Sequence, residues 1–201
     1  MMKTKNIMIV GVGGQGTLFA GKILGIMAVN AGYHMKTSEV HGMAQRGGSV
    51  VAHIRYGQQV YEPVVEEGQA DLIIALEELE ALRYAHFLKK EGMLFINPCR
   101  IKPASVLTGI AKYPKNVIET LENQYHICRI DAQRAAKKNF TVKAMNMIML
   151  GAAAHYLQFA QEDGLKAIKE NVPEEICSLN QQAFVLGYQM WKCQNGKMKE
   201  I

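Results

Sequence analysis

The sequence predicts an α/β protein: a doubly wound, mostly parallel sheet with extra helices at its C-terminal end. Three observations carry that expectation. An apolar run, Ile7 to Val10, stops at Gly11-Val12-Gly13-Gly14-Gln15-Gly16 and gives way to helical periodicity from Leu18. A continuous apolar run ending at Leu76 is followed by helical spacing and then by a further run, Met93 to Ile96, as in strands buried on both faces and joined by a crossover helix. From Thr141 onward the pattern is helical.

Taken in order, Asn6 to Val10 is a strand, and Leu18, Ile23, Leu24, Met27 and Ala28 share helical spacing to about Asn30, with Gly32 as the stop. Tyr33 to Thr37 reads as a second short strand. Ser38 to Gly48 fits neither period and reads as a long functional loop. Ser49 to Tyr56 is strand-like, and Gly57-Gln58 suggests a hairpin return through Gln59-Val60-Tyr61. Gln69 to Leu76 is a buried strand; Leu79, Leu82, Ala85 and Leu88 form a helix stopped at Gly92; Met93 to Asn97 is the next strand. Pro103 to Ile110 reads as a short helix, with the last strands around Val117 and at Tyr125 to Ile130. One helix then runs from Thr141 to about Ala160, and another opens at Pro173. With neither an internal repeat nor a low-complexity linker, the whole chain, 1–201, reads as one Rossmann-like domain.

The bulk numbers narrow the function classes. Charged residues make up 20% and apolar ones 49%, ordinary for a water-soluble globular protein. The net charge of +5 is spread thinly, with Lys89-Lys90, Lys137-Lys138 and the Lys197 and Lys199 tail as its only dense spots, so no nucleic-acid footprint is expected. The N-terminal apolar run is cut by Gly11 and reads as a strand instead of a signal peptide, and no window approaches a membrane helix. A cytoplasmic location is the default. Cys99, Cys128, Cys177 and Cys193 lie far apart without a C-x-x-C pair, giving no local support for zinc or an iron–sulfur cluster.

Two glycine loops hold the functional interest. Gly11, Gly13 and Gly16 satisfy G-x-G-x-x-G between a strand and a helix, where free backbone amides and the helix dipole favour an anion. A dinucleotide site also wants an acidic residue closing the second strand; Glu39 is the only nearby candidate, and it sits at the mouth of a polar loop. A P-loop is excluded because Thr17 stands where its lysine belongs. The glycines also suit a purely structural tight turn. In the second loop, Gly42, Gly47 and Gly48 permit close backbone approach, while Gln45 and Arg46 supply donors and a permanent charge. Such loops converge on one crevice in an open α/β sheet, to hold a phosphate-bearing ligand or to form a fitted protein interface. His41 and His53 have no carboxylate or nucleophile placed beside them by spacing, so both read as ordinary hydrogen-bonding histidines, and nothing near Cys99 argues for an activated thiolate.

On these residues the chain resembles the gamma-type domain of the 2-oxoacid:ferredoxin oxidoreductases, and within them the small subunits of the indolepyruvate branch. The likeness rests on Gly11 to Gly16; on Ser38-Glu39-Val40-His41-Gly42-Met43-Ala44-Gln45-Arg46-Gly47-Gly48-Ser49; on Ala70 to Glu77; on Asn146 to Gly151; and on Asn180 to Gly187. It runs nearly end to end, and the paired glycine motifs are far more specific than the dinucleotide fingerprint alone. The resemblance implies oxidative decarboxylation of arylpyruvates with coenzyme A to an aryl-acetyl thioester and reduced ferredoxin. It implies thiamine diphosphate, magnesium and iron–sulfur clusters in a larger partner subunit, none of them bound by this chain, with coenzyme A entering at the interface. Gly11, Gly13, Gly14, Gln15, Gly16, Ser38, His41, Gly42, Gln45, Arg46, Gly47 and Gly48 would then face ligand or partner, with Arg46 on a phosphate or carboxylate; no residue is assigned to catalysis. Two alternatives stand beside it: a stand-alone NAD(P)-binding oxidoreductase using Gly11, Gly13, Gly16 and Glu39, and a non-catalytic assembly protein of the same fold.

Overall fold

The computed structural model describes residues 3–42 and 47–198, with side chains through Trp191. Gln45 and Arg46 therefore lie outside the described residues, as do Met43 and Ala44. Strand β1 (Lys5–Val12) leads through the glycine loop into α1 (Thr17–Asn30), then into β2 (His34–His41) and β3 (Ser49–Gly57). Next come β4 (Ala70–Ala75), α2 (Glu78–Tyr84), β5 (Leu88–Ile96), α3 (Ala104–Leu107), α4 (Val117–Glu122) and β6 (His126–Arg129). Helices α5 (Ala132–Asn139), α6 (Met145–Tyr156), α7 (Gln161–Asn171) and α8 (Glu174–Met198) complete the chain.

The strands form one six-stranded sheet in the order β2-β3-β1-β4-β5-β6. Only β3 runs against the rest: it is antiparallel to both β1 and β2, whereas β1, β4, β5 and β6 pair in parallel. The central strands are buried on both faces. Ile7 and Ile9 of β1 enter the core beneath α1, α6, α7 and α8, while Met8 and Val10 enter the core beneath α2 and α4. This is the three-layer arrangement that the unbroken apolar runs demand.

Several local expectations are corrected. Ser38 to His41 extends β2 and is not loop, so the connection to β3 is confined to residues 42–48 and the antiparallel pair is β2–β3; no strand forms at residues 59–61. The periodicity of 79–88 splits, with α2 ending at Tyr84 and β5 already running from Leu88. Gly92 lies inside that strand, where a Cβ would press on the Ala70 carbonyl at 2.7 Å. Val117 opens a helix, not a strand, burying Val117, Ile118 and Leu121. The long helix expected from Thr141 breaks after Tyr156, and Gln158, at φ 65°, turns the chain into α7.

Helices α6 and α8 show why two distant sequence blocks go together. Asn146 to Gly151 on α6 packs against Asn180 to Gly187 on α8 at backbone distance. A Cβ on Gly151 would collide with the Phe184 carbonyl, and one on Gly187 with the Ile148 carbonyl. Aromatic packing of Phe95 with Tyr156 and Trp191 then fastens the helix pair to β5, with ring centroids 5.4 and 4.9 Å apart.

Candidate functional site

The glycine loop sits at the carboxyl end of β1, beside the point where the chain's path across the sheet reverses between β1 and β4. Gly16 is the residue before α1, at φ +79°, and it supplies no side-chain cap, so the first-turn amides of α1 have no side-chain acceptor from it. The Gly16 carbonyl accepts from the Ala20 amide at 3.0 Å and from Asn146 Nδ2 at 3.1 Å, while Asn146 Oδ1 takes the Met147 amide at 2.8 Å. One buried side chain thus ties the start of α6 to the loop.

Gln15 turns inward. Its Oε1 accepts the Val12 amide at 2.7 Å, and its Nε2 donates to the Leu76 carbonyl at 3.1 Å. That same carbonyl receives Asn97 Nδ2 at 3.0 Å, and the fully buried Asn97 spends its Oδ1 on the Gln133 amide at the start of α5. The carboxyl ends of β1, β4 and β5 are therefore laced together by two side-chain amides. The Thr17 hydroxyl is buried without a partner and faces back beneath the loop toward Gly11.

The second loop is anchored to the first. Gly13 donates its amide to the Gly48 carbonyl at 2.8 Å, and Gly42 donates to the Ser49 carbonyl at 3.3 Å. On the opposite face, Ser49 Oγ donates to Glu80 Oε2 at 2.5 Å and lies 3.2 Å from the Tyr84 hydroxyl. Burial holds the Glu80 carboxyl above its ordinary range, against the opposing pull of the Ser49 bond and the Arg83 charge. Glu77, also buried, caps α2 through the Glu80 amide at 2.9 Å and fixes the next loop through the Ile101 amide and the Tyr113 hydroxyl, at 3.0 and 2.6 Å.

A cleft of about 470 Å³ opens over the loop, lined by Gly13, Gly14, Gly16, Phe19, His41 and Gly42 among others. A second, of about 550 Å³, runs along α1 over Met35, Thr37 and Glu39. A third, of about 260 Å³, lies against Asn146, Ile176 and Leu179. Phe19 lines all three, so they form one mostly apolar trough around the first turn of α1.

The structure thus brings Gly13, Gly14, Gly16, His41 and Gly42 together at one cleft, and joins Gly47-Gly48 to it by the backbone. Gln15 instead points into the sheet. Ser38, by strand alternation from Glu39 and His41, lies on the other face, opposite His53 in the β2–β3 register. His53 is buried, accepts the Val65 amide at 3.3 Å and packs edge-on against Phe87; burial lowers its pKa, which suits a neutral acceptor. Glu77, Glu80, Asn97 and Asn146 also shape the site: Glu77 and Asn146 stand within sequence blocks that carry the resemblance, whereas Glu80 and Asn97 have no signal beyond polar side chains next to apolar runs.

A nicotinamide dinucleotide does not fit this arrangement. The antiparallel β3 stands between β1 and β2, which puts β2 about 10 Å from β1 instead of about 5 Å. Glu39 pairs with Ala52, and Ala52 with Ile9, so it lies below the loop in mid-strand. Among the described residues no group of three or more His, Cys, Asp or Glu side chains could hold a metal ion. Cys99 is buried, with its thiol pushed up by burial and by Glu77 and Glu78; the Cys128 thiol is pushed up to about 12 by burial. No described helix is long and apolar enough to cross a membrane.

Comparison with known proteins matches residues 6–190 to the family described as pyruvate ferredoxin/flavodoxin oxidoreductase. Indolepyruvate oxidoreductase subunit IorB of Thermococcus kodakarensis is 40% identical over 193 residues, covering 92% of this chain and 95% of its own. The subunit of the same name from Archaeoglobus fulgidus is 42% identical over 188 residues, covering 91% and 93%. Among solved structures, the gamma subunit of a keto/oxoacid ferredoxin oxidoreductase from Geobacter sulfurreducens superposes with a TM-score of 0.71 at 25% identity, covering 94% of this chain and 99% of that one.

Proposed function

The chain belongs to the pyruvate ferredoxin/flavodoxin oxidoreductase family, and from that premise we propose that it is the small, cofactor-free subunit of an indolepyruvate-type 2-oxoacid:ferredoxin oxidoreductase. The complex converts an arylpyruvate and coenzyme A to an aryl-acetyl thioester and carbon dioxide, passing the electrons to ferredoxin. The observation that carries this reading is the near end-to-end match, at 40 and 42% identity, to subunits named for indolepyruvate oxidoreductase. The Cys99 and Cys128 thiols are both pushed up by burial, which suits packing and not nucleophilic chemistry.

This division of labour leaves thiamine diphosphate, magnesium and the clusters to the larger subunit. The small subunit's part is to supply a fitted surface. The apolar trough around Phe19 and the two joined glycine loops face the larger subunit, exclude water there, and present backbone amides of the α1 start beside the loop that carries Gln45 and Arg46. Arg46 meets a phosphate or carboxylate of the incoming substrate or coenzyme A.

Calorimetry separates this reading from its rivals. The isolated chain titrated with NAD and NADP gives no heat of binding, while titration with the larger subunit gives a stoichiometric complex. Micromolar nicotinamide binding with no affinity for the larger subunit overturns the proposal. Arg46→Ala in the assembled enzyme lowers turnover or raises KM for coenzyme A; unchanged values of both remove Arg46 from the site.

A further inference from the structure

We propose that the protrusion built around α3 is a docking knob, seated in an apolar recess rimmed by carboxylates on the larger subunit. This rests on the subunit reading above and assigns a second contact, separate from the glycine loops. The segment between β5 and α4 carries two features, an exposed apolar pair and an excess of cations over carboxylates. First, α3 buries no residue, and Leu107 and Ile110 are 71% and 83% exposed. A four-residue helix gains little from its own hydrogen bonds, and helices in proteins owe most of their stability to a packed apolar face. Here the apolar side chains point away from the fold.

The protrusion is nevertheless ordered within itself. Leu107 and Val106 donate their amides to the Pro103 carbonyl, Thr108 Oγ1 closes onto the Ala104 carbonyl at 3.0 Å, and Ala111 donates back to Ser105 at 2.9 Å. A knob already closed in this way loses little conformational freedom when it docks.

The second feature is charge. Residues 100–116 contain Arg100, Lys102, Lys112 and Lys115 and no carboxylate. At the foot of the protrusion Arg100, Lys102, Tyr113, Lys115 and Asn116 line a cleft of about 290 Å³. Its wall is fixed from below: Arg100 Nε donates to Glu78 at 2.6 Å, its guanidinium lies 5.9 Å from the Tyr113 ring centroid, and the Tyr113 hydroxyl is held by Glu77. Glu77 and Glu78 are both buried, so they balance part of this charge from beneath while the lysines face outward. An apolar tip with a cationic foot fits an acidic surface. The same charge disfavours a second copy of this chain as the occupant, because the four cations would meet their own kind and the whole chain is already at +5.

The test measures affinity between the full chain and the larger subunit. Leu107→Asp with Ile110→Asp weakens binding about tenfold or more, as expected for central apolar anchors. Lys102→Glu with Lys115→Glu also weakens binding and flattens its dependence on salt. Val29→Asp, at an exposed apolar residue on α1, leaves affinity unchanged. All three variants keep the wild-type melting temperature within about 2 °C, because the altered side chains are solvent-exposed. Wild-type binding that the Leu107 and Ile110 variant retains in full overturns the knob and leaves the subunit reading standing. A wild-type chain that does not bind the larger subunit overturns both. Self-association of the chain, or retention on phosphatidylglycerol vesicles, that is lost in the Leu107 and Ile110 variant also overturns the proposal, by naming a different occupant.

Discussion

The side chain of Asn146 reaches across 130 residues of sequence to donate to the carbonyl of Gly16, at 3.1 Å. Gly16 has φ +79°, and a Cβ there would collide with that same amide. The glycine loop is therefore shaped from two sides, by its own left-handed backbone and by a residue on α6. Gly16→Ala should cost about 1–3 kcal/mol from backbone strain and collision together. Asn146→Ala should cost about 0.5–1.5 kcal/mol by removing one of the carbonyl's two donors, the Ala20 amide at 3.0 Å remaining. Because the two sites touch, the double variant should lose less than the sum of the single losses, as read from denaturant midpoints. Strict additivity would contradict the contact.

Gln15 joins β1 to β4 through the Val12 amide and the Leu76 carbonyl. Gln15→Ala strands a buried backbone donor and should destabilise the protein by about 1–3 kcal/mol in urea unfolding. A substitution that left stability intact would return this side chain to the solvent-facing role its position in the motif suggests.

Glu80 links stability to pH. Burial raises its native pKa above the ordinary value of 4.5, so the folded state holds this proton more tightly than the unfolded chain. The contribution is full below pH 4.5 and is lost as pH rises through the native value. Glu80→Gln keeps an acceptor for Ser49 and removes the titration. It should be more stable than wild type at pH above the raised native value, the gap closing as pH falls toward 4.5 in thermal melts across pH. A gap that widens on acidification would reverse the sign and the argument.

Gly187 and Gly151 let α6 and α8 meet backbone to backbone. Gly187→Ala forces the helices apart and should cost about 1–3 kcal/mol or more, despite alanine's better helix propensity. A stabilised variant in denaturant titrations would mean the helices are not in that contact.

Legibility followed burial. The runs at β1, β4 and β5 were readable because strands covered on both faces carry unbroken apolar sequence, and the glycine loop because a tight strand-to-helix turn needs residues without side chains. The end of β2 was not: Ser38 to His41 lies on an edge strand exposed over most of its length, so neither face imposes an apolar alternation. At Val117 to Leu121 the helix is too short for its period to show, and Gly92 resembles a helix stop although a close neighbour requires it inside a strand. The inward turn of Gln15 and Asn97 was invisible because a polar side chain beside a glycine or proline reads as solvent-facing until its partners are placed.

The central claim, a required subunit that carries no catalytic group of its own, is tested most directly by titrating the larger subunit with this chain while following arylpyruvate- and coenzyme A-dependent ferredoxin reduction. Neither chain alone should turn over, and the rate should rise with added small subunit and level off at equimolar amounts. Full turnover by the larger subunit without this chain would contradict the account.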